Sequence, residues 1–157
     1  MKLKKTMQKI LMLNETLCLV PHYEGKISSI IYTKDESFKF EEKVETIINS
    51  YCLQFASNLQ GRIQASRERF SFIKNPPIVI SELNTIVAMQ LPVLHYPESM
   101  WILDLSFNVE KTNKQSVIEF HNGLNFKIPL SKNAVMDRKR NAYQLVVECL
   151  NIQKKQK

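Results

Sequence analysis

Only three of the 157 residues are glycine, and only three are cysteine. Neither a GxGxxG pattern nor a glycine-rich phosphate loop occurs, and the GxSxG turn of serine hydrolases is missing too. Cys18, Cys52 and Cys149 are odd in number, far apart and set in apolar runs. They fit neither a disulfide framework nor a zinc spacing and read as buried free thiols in a reducing compartment. His22, His95 and His121 are isolated from one another, and none has an HxxxH-type neighbour. No apolar run approaches a membrane span. Lysines precede Ile10-Leu11-Met12-Leu13 as in a signal peptide, but Asn14 and Glu15 interrupt the run and no small-residue cleavage site follows. These absences argue against an enzyme, a cofactor and a membrane partner, and for a cytoplasmic protein. An enzyme reading would need Asp104, Glu119 and a histidine to converge on a basic face.

What is present is positive charge. The net charge is +7 and the isoelectric point about 9.3, a balance that favours nucleic acid or an anionic membrane over an acidic protein partner. With 44% apolar residues, one domain over residues 1–157 buries a core without a metal. The charge is unevenly placed. Arg62, Arg67, Arg69 and Lys74 face one acid, Glu68; Lys132, Arg138, Lys139 and Arg140 face one acid, Asp137. Lysines also crowd both termini, where they read as solvated tails. Asp35 to Glu45 carries five acids and two lysines.

Periodicity gives the architecture. Residues 15–21 and 26–33 are rich in β-branched residues around a turn at Glu24-Gly25 and predict a hairpin. Val44, Ile47, Ile48, Tyr51 and Phe55 make one apolar stripe and predict a helix over 41–57. Gly61 is expected to end that helix or turn the chain. Strands are predicted over 69–73, 77–80 and 85–91, the first two separated by Asn75-Pro76-Pro77. A longer strand is predicted over 101–109, with Trp101, Leu103, Leu105, Phe107 and Val109 on one face. Asn122-Gly123 between Val117–Phe120 and Leu124–Leu130 is a hairpin signal. A last helix is predicted over 133–152. The sum is an α+β fold: an antiparallel β-sheet with hairpins and two main amphipathic helices.

Several landmarks then fall in a recognisable order. They are Leu19-Val20-Pro21, Gly25-Lys26-Ile27, Tyr51-Cys52, Gly61-Arg62, Lys74-Asn75-Pro76-Pro77-Ile78, Leu91-Pro92, Trp101-Ile102, Asn122-Gly123 and Ile128-Pro129-Leu130-Ser131. Over residues 15–150 the chain resembles the bacterial competence transcription factor (ComK) family. The resemblance implies an activator of DNA-uptake genes that binds paired A/T-rich boxes of double-stranded DNA through the minor groove. It further implies homo-oligomers (dimers, two of them meeting on one promoter), with RNA polymerase and a protease adaptor as further partners. Clustered charge assigns the DNA contacts to Arg62, Arg67, Arg69 and Lys74, with Lys26, Arg138, Lys139 and Arg140 in support. No helix-turn-helix is expected, since strand-like sequence follows Gly61. Ser99 stands where the family often has cysteine, and the chain stops at Lys157 after a short basic tail. These departures raise an alternative: a module that pairs with a full-length relative and modulates it without binding DNA.

Overall fold

A computed structural model describes residues 15–71 and 74–155, with the side chains of Arg69 and Phe70 outside the described set. Strands β1 (Thr16–Glu24), β2 (Ile27–Thr33) and β3 (Ser37–Phe40) form a meander, followed by helices α1 (Val44–Gln54) and α2 (Leu59–Phe70). Next come β4 (Ile78–Ser81), β5 (Ile86–Pro92) and β6 (Ser99–Ile102), then β7 (Asn108–Thr112), β8 (Gln115–Glu119) and β9 (Asn125–Ile128). Helix α3 (Lys132–Lys155) ends the described chain. A six-stranded antiparallel sheet has the order β3-β2-β1-β6-β5-β4, and β7-β8-β9 make a second, smaller sheet. The α+β expectation therefore holds.

The large sheet is buried on both faces, which is why β5 reads as a nearly unbroken apolar run. Side chains alternate across it. Leu19, Ile31, Ala88 and Trp101 pack with Ile47, Ile48 and Tyr51 of α1 on one side. Met89, Leu91, Met100 and Ile102 pack on the other with Phe107, Ile118 and Phe120, and with Val135, Ala142 and Leu145 of α3. Val44, Ile47, Ile48 and Tyr51 of the stripe predicted for α1 are buried, while Phe55 is its C-cap and only partly buried. Gly25 (φ +58°) and Gly123 (φ +91°) occupy the tight turns expected of them, where a side chain would be strained.

Three expectations fail, each for a local reason. Gly61 does not end a helix; it lies in the first turn of α2. Asn58 caps that helix by accepting from the Gly61 amide at 2.6 Å, and Asn49 accepts from the Leu59 amide at 2.9 Å. The strand predicted from residue 69 is consequently helix through Phe70; residues 72 and 73 lie outside the described residues. A second helix thus follows the first, and the ground for setting aside a helix pair falls with it. The strand predicted over 101–109 breaks after Ile102. Asp104 Oδ1 accepts from the Ser106 amide at 3.0 Å and from its hydroxyl at 2.6 Å, closing a turn that sends Trp101 and Phe107 to opposite cores. Finally, β3 and the β7–β8 hairpin were not predicted. Asn113, at the tip of that hairpin, adopts φ +42°, a conformation asparagine tolerates.

Candidate nucleic-acid interface

Strand register gathers several loops at one end of the large sheet. Leu19 pairs with Trp101, Pro92 with Ser99, and Ile78 with Ala88. The β1–β2 turn, the β5–β6 loop and the chain entering β4 therefore share one end. The segment before β4 is held firmly: the Ser66 hydroxyl donates to Pro77 O at 2.7 Å, and Gln90 Nε2 donates to Pro76 O at 3.0 Å. Neither proline offers an amide to a neighbouring strand. Ser71 (φ +57°) and Asn75 (φ +44°) take left-handed conformations as the chain leaves α2 and approaches β4.

A groove of about 260 Å³ opens here, lined by Ser71, Lys74, Asn75, Pro76, Pro77, Arg138 and Asn141. It joins the two basic stretches of the sequence through one cation from each. Lys74 is exposed. Arg138 is half-buried and donates from Nη1 to Gln90 O at 3.1 Å; burial lowers its pKa. Arg67, exposed on the last turns of α2, has no side-chain partner among the described residues. Lys26 is exposed at the β1–β2 turn. From there to the entry of β4 is three to four strand spacings, on the order of 15–20 Å at ~4.8 Å each.

The remaining predicted contacts are placed differently. Arg62 turns inward. Its Nε donates to Ser57 Oγ at 2.9 Å, and both terminal nitrogens pair with the Glu82 carboxylate, one of them at 3.2 Å. Only 17% of its side chain is exposed. It fastens α2 to the β4–β5 hairpin instead of facing solvent. Lys139 donates to Phe107 O and lies 4.5 Å from the centre of the Phe107 ring, a cation–π contact; burial lowers its pKa. Arg140 is exposed and pairs with Asp137 at 2.9 Å. The Arg69 side chain lies outside the described residues. Ser71 and Asn141 are groove residues that sequence reasoning missed; for Asn141 the three-residue spacing from Arg138 on a helix was the available signal.

The opposite end of the molecule holds a cleft of about 750 Å³ between the two sheets. Asp104 and His121 both line it, together with Asp35 and Tyr143, but Glu119 does not. Glu119 instead lies exposed on β8, opposite Asn108 and Asn125. Among the described residues no three His, Cys, Asp or Glu side chains could hold a metal ion. Burial pushes the Cys52 thiol up to about 11 and raises Cys18 and Cys149 as well, so none is poised as a nucleophile. No helix of the described residues is long and apolar enough to cross a membrane.

The sequence profile of the ComK protein family matches residues 7–154, almost the whole chain. The chain belongs to the ComK family. It is also similar to the competence transcription factor of Bacillus subtilis (strain 168), at 27% identity over 122 residues. That match covers 76% of this chain and 64% of the relative, so the chain spans a little under two thirds of the relative's length. No solved structure matches the chain.

Proposed function

We propose that this ComK-family protein is a DNA-binding transcriptional activator of competence genes. In this reading Arg67, Lys74 and Arg138 carry the contacts to A/T-rich duplex DNA, with Lys26 at the edge of the footprint. The observation that carries it is the groove that Lys74 and Arg138 line beside the fixed Asn75-Pro76-Pro77 segment, in a chain similar to a competence transcription factor. A held backbone beside the cations lowers the ordering cost of binding to that of their side chains, and each phosphate they neutralise releases counterions. Entry into the minor groove is the mode the resemblance implies, since arginine favours the enhanced negative potential of narrow A/T tracts. Assembly as dimers on paired boxes, and contact with RNA polymerase or a protease adaptor, belong to the same reading, as does a cytoplasmic, nucleoid-associated location.

The test is a gel-shift salt titration on duplexes carrying paired A/T boxes and on G/C-rich controls. Preference for the A/T boxes, with affinity falling steeply as salt rises, is expected. Equal affinity for both sequences, or an affinity flat in salt, refutes the proposal. A minor-groove ligand added as competitor should release the protein. Retention would favour the exposed face of α2, with Gln60, Gln64 and Arg67, as a reader of the major groove. Absence of any shift together with co-purification of a full-length relative would favour the modulating module.

A further inference from the structure

Helix α3 buries Val135, Ala142, Leu145 and Cys149 but leaves a second apolar stripe uncovered. Met136, Tyr143, Val147 and Leu150 are 37%, 42%, 54% and 45% exposed. Arg140 and Lys154, both exposed, extend the same line. The six positions 136, 140, 143, 147, 150 and 154 alternate in steps of four and three, the spacing of a coiled-coil seam. At 1.5 Å per residue the apolar part from Met136 to Leu150 runs about 21 Å. The Tyr143 hydroxyl donates to Leu105 O at 3.1 Å, which fixes its ring in place. Isolated surface apolar residues are ordinary; four in one straight line on a long helix mark an interaction face.

We propose that this stripe is the interface with a second copy of the chain, paired antiparallel through α3. The charges select both the occupant and its direction. A parallel pair would set Arg140 against Arg140 and Lys154 against Lys154 along the seam. An antiparallel pair centred between Tyr143 and Val147 sets Arg140 against Leu150 and Lys154 against Met136, where the long aliphatic stems cover apolar surface. It also brings Asp137 of one copy near Lys154 and Lys155 of the other, and it opposes the two helix dipoles. Arg138 is about 200° around the helix from Met136 at 100° per residue, so pairing leaves the basic groove open. Two such grooves then lie at opposite ends of the seam, with their Arg138 residues about 21 Å apart along it. This deepens the oligomeric part of the proposed function by naming its surface, and its test contains no DNA, so either can fail alone.

Sedimentation of the full chain from micromolar to millimolar loading should show a dimer, because one helix pair makes an interface at the small end of the stable range. Val147→Glu with Leu150→Glu should weaken that dimer at least tenfold while the circular dichroism spectrum is unchanged. For direction, a Met136→Cys chain mixed with a Lys154→Cys chain should form a mixed disulfide under mild oxidation, with little linkage in either alone. The mixed disulfide also reports the interface if the glutamate variant fails to fold. A monomer at every loading overturns the proposal. So does a dimer indifferent to the glutamates, or linkage of each cysteine chain only with itself.

Discussion

Residues 62–74 and 132–140 each set four cations against one acid, yet the fold treats them differently. In the first stretch Arg62 points inward to Glu82, while Arg67 and Lys74 remain outward. In the second, Lys139 is tied to Phe107 and Arg140 to Asp137; Arg138 alone is brought beside Lys74. Equal net charge therefore does not mean equal capacity to bind a polyanion. A guanidinium engaged by a carboxylate adds little field at the surface, and removing it threatens the fold rather than the affinity. The two stretches matter jointly because α2 ends, and α3 begins its course past β5, at the same end of the sheet.

This contrast can be broken in four ways, from the largest effect downward. Reversing the outward pair, Arg67→Glu with Lys74→Glu, should weaken DNA binding by about 5- to 150-fold, two charged contacts at about 1–3 kcal/mol together, with no loss in urea midpoint. A gel shift and a denaturation curve on one preparation check both halves. Arg62→Ala should do the reverse. It should lower stability by about 1–2 kcal/mol, discounted because Glu82 is partly exposed, and leave the affinity of folded protein within twofold. If Arg62→Ala instead abolished binding at unchanged stability, the inward assignment of this residue would be wrong. Arg138→Ala should show both effects at about 1 kcal/mol each, because its guanidinium both bonds to Gln90 and lines the groove. Arg140→Ala should change stability and affinity by less than about 0.5 kcal/mol, the usual scale of an exposed pair. A larger effect on sedimentation than on DNA binding would point to its place on the α3 stripe.

Much of the fold was legible because its signals were local. The β1–β2 hairpin, α1, the Asn122-Gly123 turn and α3 each had a periodic stripe or a turn residue. Where reading failed, two meanings competed for one residue. Gly61 looked like a helix stop, but Asn58 three positions earlier made it the first turn of a new helix. Trp101 and Phe107 both fit one alternating strand until the Asp104–Ser106 turn separated them. The site was legible only in outline. Charge density marked the two basic stretches, but the inward pairing of Arg62 depends on Glu82, twenty positions away on another element. The meeting of Lys74 with Arg138 depends on where α3 crosses β5. Neither is a property of spacing along the chain.

The central claim, that Arg67 and Lys74 bind DNA as outward phosphate contacts, is tested most directly by the slope of log affinity against log salt. Wild type and the Arg67→Ala, Lys74→Ala double variant should be compared on one A/T-box duplex. Each lost phosphate contact reduces the slope by about 0.9, so the variant should be shallower by about 1.8, with its thermal midpoint unchanged. Parallel lines for the two proteins would contradict the account.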